Sequence, residues 1–104
     1  MKILFDQGTP APLRRELSKH TVTTAFEKSW STLTNGDLLK MAEREFDLLI
    51  TTDQNLEYQQ NIAGRRIALL ILPTTRWPEI KLDAAEIAFA VGQTKPGSYL
   101  SLVW

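Results

Sequence analysis

The sequence predicts a small three-layer α/β fold around a mostly parallel sheet of about four strands. Three continuous apolar runs, "KILF", "DLLIT" and "RIALLIL", are typical of strands that are buried on both faces of a parallel sheet. Helical patterns lie between these runs, as they do in βαβ units. The 104 residues suffice for one hydrophobic core but not for two, so we expect a single domain over residues 1–104.

The first half of the chain predicts two strands and a helix between them. "KILFD" is the first strand, and "QGTPAP" after it contains helix-start residues, since Thr9 is able to cap and Pro10 suits a first helical position. The helix continues through Leu13 and Leu17. "HTVTTA" has alternating β-branched residues and predicts the second strand.

The second half begins with the clearest helix, "TNGDLLKMAEREF", in which Thr34 and Asp37 resemble a capping box. "DLLIT" and "RIALLIL" are the third and fourth strands, and "DQNLEYQQNIAGRR" between them predicts a short helix. "WPEIKLDAAEIAFAVGQ" predicts one last helix. "KPGSYLSLVW" predicts a turn followed by an edge strand.

Composition excludes several classes of function. Twelve basic and twelve acidic residues cancel, so any contact with nucleic acid must come from a local patch. The absence of cysteine excludes disulfides, zinc–thiolate sites and thiol nucleophiles. No apolar run is long enough to span a membrane, and "MKILFDQGTP" is too short for a signal peptide, so we expect a cytoplasmic protein with no membrane partner.

Three aspartates are the candidate metal ligands. Asp6 and Asp53 end the first and third strands, and ligands of open parallel sheets bind at the carboxyl ends of the strands. Asp37 begins the helix that leads into the third strand. Three converging carboxylates need a cation, and a site with oxygen ligands only favours Mg²⁺ or Mn²⁺. Each acid also has a purely structural explanation: Asp37 and Asp53 as helix-start residues, and Asp6 as a turn residue.

The segments "ILFDQ", "NGDLLKMAEREFDLLITTDQN" and "GRRIALLIL" resemble the small PIN-like proteins, which are relatives of the PIN-domain ribonuclease toxins of bacterial toxin–antitoxin pairs. The resemblance covers about residues 2–72, and the "KPGSYLSLVW" tail is also similar. It implies a PIN-like fold and a Mg²⁺- or Mn²⁺-dependent ribonuclease, with RNA as substrate and an antitoxin protein as partner. It also implies that Asp6, Asp37 and Asp53 are catalytic metal ligands, with Thr51 as the threonine of the T-x-D motif.

The chain departs from this family at positions that are often acidic. Gln7 follows Asp6, Asn55 stands two residues after Asp53, and Glu27 is only a weak match to a further acid. Each amide keeps an oxygen ligand but removes a negative charge, which weakens a metal site. The alternative is therefore a catalytically weak PIN-like module that binds RNA or a protein.

Two further predictions concern contacts with other molecules. Arg14 is the preferred RNA-binding residue because it lies on the helix that starts beside Asp6, although a position on a solvated face is the better explanation for any single basic residue. Leu102 and Trp104 near the end of the chain are costly to leave in water, so we expect a homodimer or a complex with a partner.

Overall fold

The computed structural model describes residues 1–56 and 64–104. The short helix expected between the third and fourth strands falls mainly on residues outside these ranges. Within the described ranges, five strands form one sheet: β1 (Lys2–Phe5), β2 (Thr21–Thr24), β3 (Leu48–Thr51), β4 (Ala68–Ile71) and β5 (Tyr99–Ser101).

The sheet is parallel throughout, with the strand order β2-β1-β3-β4-β5. The α/β class with a mostly parallel sheet is confirmed, but the expected number of about four strands was too low. The fifth strand is β5, which is the edge strand expected in "KPGSYLSLVW" and which pairs in parallel with β4 at Leu69, Leu70 and Ile71.

The described helices are a 3₁₀ helix (Ala11–Leu17), α1 (Asn35–Glu45), α2 (Trp77–Leu82) and α3 (Ala84–Gly92). The prediction of one last helix was wrong, because the backbone leaves helical geometry at Asp83, with φ −110° and ψ 17°. Aspartate is a poor residue for a helix interior because its side chain competes for backbone hydrogen bonds. None of the described helices is long and apolar enough to cross a membrane.

The two faces of the sheet bury separate apolar clusters, because successive side chains of a strand point to opposite faces. Ile3, Phe5, Leu48 and Ile50 lie on one face, in a cluster with residues of the 3₁₀ helix, α2 and α3. Leu4, Leu49 and Leu69 lie on the other face and pack with Leu38, Leu39, Ala42 and Phe46. The central strands are therefore covered on both sides, which explains their continuous apolar sequences.

α1 begins where the sequence predicted. The side-chain oxygen of Thr34 accepts a hydrogen bond from the backbone N–H of Asp37 at 3.3 Å, which is half of a capping box. The helix ends before Phe46, which has extended backbone geometry. The chain then enters β3 at the amino ends of the parallel strands. The start of α1 therefore lies toward the carboxyl ends of the strands.

Candidate functional site

The carboxyl ends of β1 and β3 lie side by side. Phe5 is paired with Ile50, and the backbone N–H of Asp6 donates to the carbonyl oxygen of Ile50 at 3.1 Å. Asp6 therefore stands next to Thr51 on the neighbouring strand, about 5 Å away at backbone level. The adjacency of the two strands, on which the prediction of a site at this edge depended, is confirmed.

Asp6 is part-buried and is held by two threonines. Its Oδ1 accepts hydrogen bonds from the backbone N–H of Thr9 at 3.1 Å and from the hydroxyl of Thr9 at 2.8 Å. Its Oδ2 accepts a hydrogen bond from the hydroxyl of Thr51. Burial raises the pKa of the Asp6 carboxyl above its usual value, although the hydrogen bonds from Thr51 and Thr9 act in the opposite direction.

Thr9 has a different role from the one that the sequence suggested. The residue before the 3₁₀ helix is Pro10, and no side chain caps this helix. The hydroxyl of Thr9 instead lies 2.9 Å from the carbonyl oxygen of Ile50 as well as near Asp6. Thr9 thus joins the loop after β1 to the end of β3. No pattern in the sequence indicated this contact.

The hydroxyl group of Thr51 joins the two aspartates. Thr51 is buried, with 1% of its surface exposed. Its hydroxyl donates to Asp6, and its oxygen accepts the backbone N–H of Asp53 at 3.1 Å. The predicted supporting residue Thr51 is therefore in contact with both Asp6 and Asp53.

Asp53 is held by amide and backbone groups. Its Oδ2 accepts a hydrogen bond from the side-chain amide of Asn35 at 2.7 Å, and its Oδ1 accepts the backbone N–H of Asn55 at 2.9 Å. The bond from Asn55 is the contact that an aspartate makes to the backbone two residues on at a turn or a helix start. We name Asp6, Thr9, Thr51, Asp53 and Asn35 the carboxyl-end cluster.

Asp37 does not join this cluster. It is exposed in the first turn of α1. Among the described residues, no group of three or more Asp, Glu, His or Cys side chains is placed to hold a metal ion. The expected convergence of three carboxylates is therefore not found, and Asn35 is the residue of α1 that reaches Asp53.

Helix geometry explains why Asn35 and not Asp37 reaches the cluster. Residues three or four positions apart share a face of a helix. Asn35 stands three positions before Leu38 and four before Leu39, both of which are buried against the sheet. Asp37 is two positions from Asn35 and lies about 200° around the helix axis. The apolar positions in "NGDLLKMA" therefore already indicated that Asn35, rather than Asp37, faces the sheet.

A cleft of about 490 Å³ opens beside Asp6. Gly8 lies on its wall, where its backbone comes close to the residue that follows β3: a Cβ atom on Gly8 would clash with the side-chain hydroxyl of Thr52. The lining residues are Asp6, Gln7, Gly8, Thr9, Pro10, Ala11, Thr24, Phe26, Ser31 and Thr75. Gln7, a predicted supporting residue, is exposed and faces this cleft.

Arg14, the predicted RNA-binding residue, forms an ion pair with Glu27. Glu27 also accepts the backbone N–H of Thr24 at 2.9 Å, and this hydrogen bond, followed by the one from Arg14, lowers the pKa of Glu27. Glu27 therefore acts as a partner of Arg14 at the end of β2. No contact joins it to Asp6 or Asp53 among the described side chains.

No family model matches this chain, and no curated protein or solved structure is significantly similar to it. The chemistry of the carboxyl-end cluster therefore has to carry the functional argument, and the resemblance to PIN-like proteins stays a prediction.

The donor set of the cluster fits a hard divalent cation. An ionised carboxylate oxygen has two lone pairs. Asp6 Oδ1 accepts two hydrogen bonds from Thr9. Among the described contacts, Asp6 Oδ2 and both oxygens of Asp53 each accept one hydrogen bond, so these three oxygen atoms each keep one lone pair that no described residue uses. Mg²⁺ commonly binds through one or two carboxylates while it keeps several waters.

Proposed function

We propose that this protein is a Mg²⁺- or Mn²⁺-dependent ribonuclease of the PIN type, with Asp6 and Asp53 as its metal ligands. One observation carries the proposal: two carboxylates end neighbouring parallel strands, and only neutral groups hold them. Among the described residues, none of the ion pairs involves Asp6 or Asp53. Negative charge that is oriented but not neutralised favours a cation.

The chain's own residues would hold and orient the cation. Asp6 and Asp53 supply the charged oxygens, while Thr51, Thr9 and Asn35 fix the two carboxylates through hydrogen bonds. Such outer partners keep ligating carboxylates in place and contribute about 10–100-fold to affinity or activity. A bound Mg²⁺ or Mn²⁺ would activate a water and neutralise charge on a phosphodiester.

The second candidate function, a catalytically weak module that binds RNA or a protein, rests on the position of Asp37. Exposure of Asp37 leaves two carboxylates at the site, and Gln7, Asn35 and Asn55 add neutral oxygens but no charge. Fewer charged ligands lower the affinity for a divalent cation. The two candidates share the same fold and differ in whether the metal-bound form accumulates.

A toxin–antitoxin role and a homodimer belong to the same proposal. Leu102 is buried in the protein's own core, whereas Trp104 is 41% exposed and Val103 85% exposed beside the edge strand β5. Exposed apolar residues at a sheet edge favour pairing with another chain. Sedimentation of the isolated protein at high concentration tests self-association, and a monomer would leave this apolar surface for an antitoxin protein.

Cleavage of a labelled single-stranded RNA, with Mn²⁺ or with chelator, tests the nuclease. We expect cleavage only with Mn²⁺, and a loss on the order of a hundredfold or more in Asp53→Asn, because a ligand matters at least as much as its outer partners. The matched control is Asp47→Asn, an aspartate at the opposite end of β3, which should cleave like wild type. Cleavage that survives in both variants, or that needs no metal, would contradict the proposal.

Binding without cleavage is the result that selects the second candidate. RNA retained by wild type in the presence of Mn²⁺, with no product after long incubation, would assign the protein to the binding class. Growth arrest on expression, relieved by Asp53→Asn, would instead support a toxin.

A further inference from the structure

An exposed phenylalanine stands in the cleft beside Asp6. Phe26 lies in the turn after β2, 80% of its surface is exposed, and it lines the 490 Å³ cleft together with Asp6. Phe89 on α3 is similarly exposed at 69% but lines a different cavity, near His20. Isolated exposed apolar side chains are common on proteins. The position of Phe26 next to the carboxyl-end cluster distinguishes it from Phe89.

The size and lining of the cleft suit a single nucleobase. Small-molecule sites in proteins have volumes of about 300–1,000 Å³ and combine apolar surface with a few polar groups. Here the polar lining residues besides Asp6, Gln7 and Thr9 are Thr24, Ser31 and Thr75, each of which has a side-chain hydroxyl. A hydroxyl both donates and accepts hydrogen bonds, so these residues can meet the edge of any base while the ring of Phe26 meets its face.

A second cavity continues from the first toward two arginines. It has a volume of about 450 Å³ and shares Ala11 and Thr24 with the cleft beside Asp6. Arg14 and Arg15 line it; Arg14 is paired with Glu27, and Arg15 is exposed. A strand whose base enters the first cavity would therefore carry its next phosphate past the guanidinium of Arg15.

Electrostatics alone would give weak RNA binding here. The formal net charge is zero, and the cleft contains a carboxylate, so phosphates gain little from counterion release. Stacking of a base on an aromatic ring does not depend on net charge, and it contributes about 1–3 kcal/mol per base in single-strand binding proteins. An aromatic contact of this kind can therefore contribute binding free energy that the net charge of this protein does not supply.

We propose that Phe26 is the stacking platform for one unpaired RNA base, in a subsite formed by the cleft beside Asp6. The choice of RNA rests on the proposed function. The subsite makes single-stranded RNA the substrate class, since a base within a duplex offers no free face to the ring. Phe26 is a positioning residue: it places the strand so that a neighbouring phosphate lies at the carboxyl-end cluster.

Binding of a short labelled single-stranded RNA, measured by fluorescence anisotropy in chelator and low salt, tests the subsite. We expect Phe26→Ala to raise Kd about tenfold, within the range for loss of one stacked base. Phe26→Trp should bind at least as tightly as wild type because it keeps an aromatic face. Phe89→Ala is the matched control and should bind like wild type. Thermal unfolding of each variant confirms that the exposed substitutions leave the fold intact.

Several results would overturn the subsite. Equal binding by Phe26→Ala and wild type would do so, as would an equal loss in Phe89→Ala, which would indicate nonspecific adhesion to exposed rings. A duplex of the same sequence that binds as well as the single strand would also contradict it.

Because these measurements contain no metal, they are independent of cleavage. A chain that never cleaves RNA but binds it through Phe26 refutes the nuclease and keeps the subsite. A chain that cleaves RNA but binds it equally well without Phe26 refutes the subsite and keeps the nuclease.

Discussion

At the amino ends of β3 and β4, acidic side chains pair with arginines, whereas at the carboxyl ends of β1 and β3 they are held by neutral groups. Glu43 lies 2.8 Å from Arg65, and Asp47 lies 3.4 Å from Arg66. We name these four residues the amino-end cluster. The carboxyl-end cluster has two aspartates and, among its described contacts, no cation.

This difference separates two uses of an acidic side chain. At the amino end the charges are neutralised within the protein. The guanidinium group of Arg66 also donates a hydrogen bond to the backbone carbonyl oxygen of Phe46 at 2.8 Å. At the carboxyl end, hydrogen bonds from Thr9, Thr51 and Asn35 orient the acids without removing their charge. The first arrangement stabilises the fold. The second leaves two oriented negative charges that no described residue neutralises.

Addition of Mn²⁺ should give the largest difference between the two ends. At a free concentration a hundredfold above Kd, we expect wild type to gain about 2.7 kcal/mol of unfolding free energy. Each kcal/mol shifts the Tm of a domain of this size by roughly 4–8 °C. Because Gln7 and Asn55 bring no charge, the affinity should be low and the shift should still grow at about millimolar Mn²⁺.

Thermal unfolding of three proteins, each with chelator and with Mn²⁺, provides the measurement. Asp53→Asn should lose the gain, and Asp47→Asn should keep it. A wild-type Tm that is the same with chelator and with Mn²⁺ would refute the metal centre. An equal response of all three proteins would place the bound ion elsewhere.

Truncation of Asp6 should have the next largest effect. Asp6→Ala leaves the buried hydroxyl of Thr51 without its acceptor, which costs about 1–3 kcal/mol. The hydroxyl and the backbone N–H of Thr9 can still donate to the carbonyl oxygens of Ile50 and of residue 6. Asp6→Asn keeps one acceptor oxygen and the shape, so it should cost less. Asp37→Ala is the control: it removes only an exposed charge at a helix start, about 0.3–1 kcal/mol. Urea unfolding gives the three values, and an Asp6→Ala protein as stable as Asp37→Ala would show that the network contributes nothing.

The sequence contained most of the fold and about half of the site. Continuous apolar runs predicted β1, β3 and β4, because a strand covered on both faces must be apolar at every position. The apolar runs did not decide whether β1 and β3 are neighbours, on which a shared site of Asp6 and Asp53 depends; the structure shows that they are. An edge strand was expected where β5 lies, but its exposed residues gave no sign that it pairs in parallel with β4.

What the sequence analysis missed depends on how helices and loops are oriented. The apolar stripe of α1 places Asn35, rather than Asp37, toward the sheet, and this position could have been predicted from the sequence. The contact of Thr9 with Asp6 and Ile50 could not, because it depends on the path of the loop after β1 and leaves no periodic pattern. The break at Asp83 left only a weak signal, since one aspartate in "LDAAEI" does not exclude a continuous helix.

The carboxyl-end cluster should also make the stability of the protein depend on pH through Asp6. Burial raises the pKa of Asp6 in the folded protein, so the unfolded chain releases this proton first as pH rises. The contribution of Asp6 to stability is therefore present below its unfolded pKa and is lost as pH rises through the folded value. Asp6→Asn has no such proton. Its stability relative to wild type should increase over this interval and then stay constant.

Urea midpoints of wild type and Asp6→Asn, taken between about pH 3 and pH 7 in chelator, test this sign. Other carboxylates cancel in the difference between the two proteins. A difference that falls with rising pH would mean that the Thr9 and Thr51 hydrogen bonds outweigh burial, and that Asp6 prefers its charged form. Mn²⁺ should compete with the same proton, so the metal-induced stabilisation should weaken as pH falls through the raised pKa.

Removal of a charge from the amino-end cluster should have the smallest effect. Asp47 and Arg66 each have about half of the side chain exposed (49% for both), and exposed ion pairs contribute about 0–1 kcal/mol. In Asp47→Asn the amide oxygen can still accept the backbone N–H of Lys2, now 2.8 Å from Asp47 Oδ2. Arg66 also keeps its bond to Phe46.

We therefore expect Asp47→Asn to lose less than about 1 kcal/mol, and the loss to shrink between about 0.05 M and 1 M salt, because salt screens exposed pairs. Urea unfolding at the two salt concentrations measures it. Asp53→Asn is the counterpart at the other end of β3. Without metal it removes a charge that has no cationic partner among the described residues, so its stability should not fall more than that of Asp47→Asn. A loss above about 2 kcal/mol in Asp47→Asn, independent of salt, would show that neutralisation at the amino end supports the fold strongly. The contrast between the two ends would then be one of stability as well as of charge.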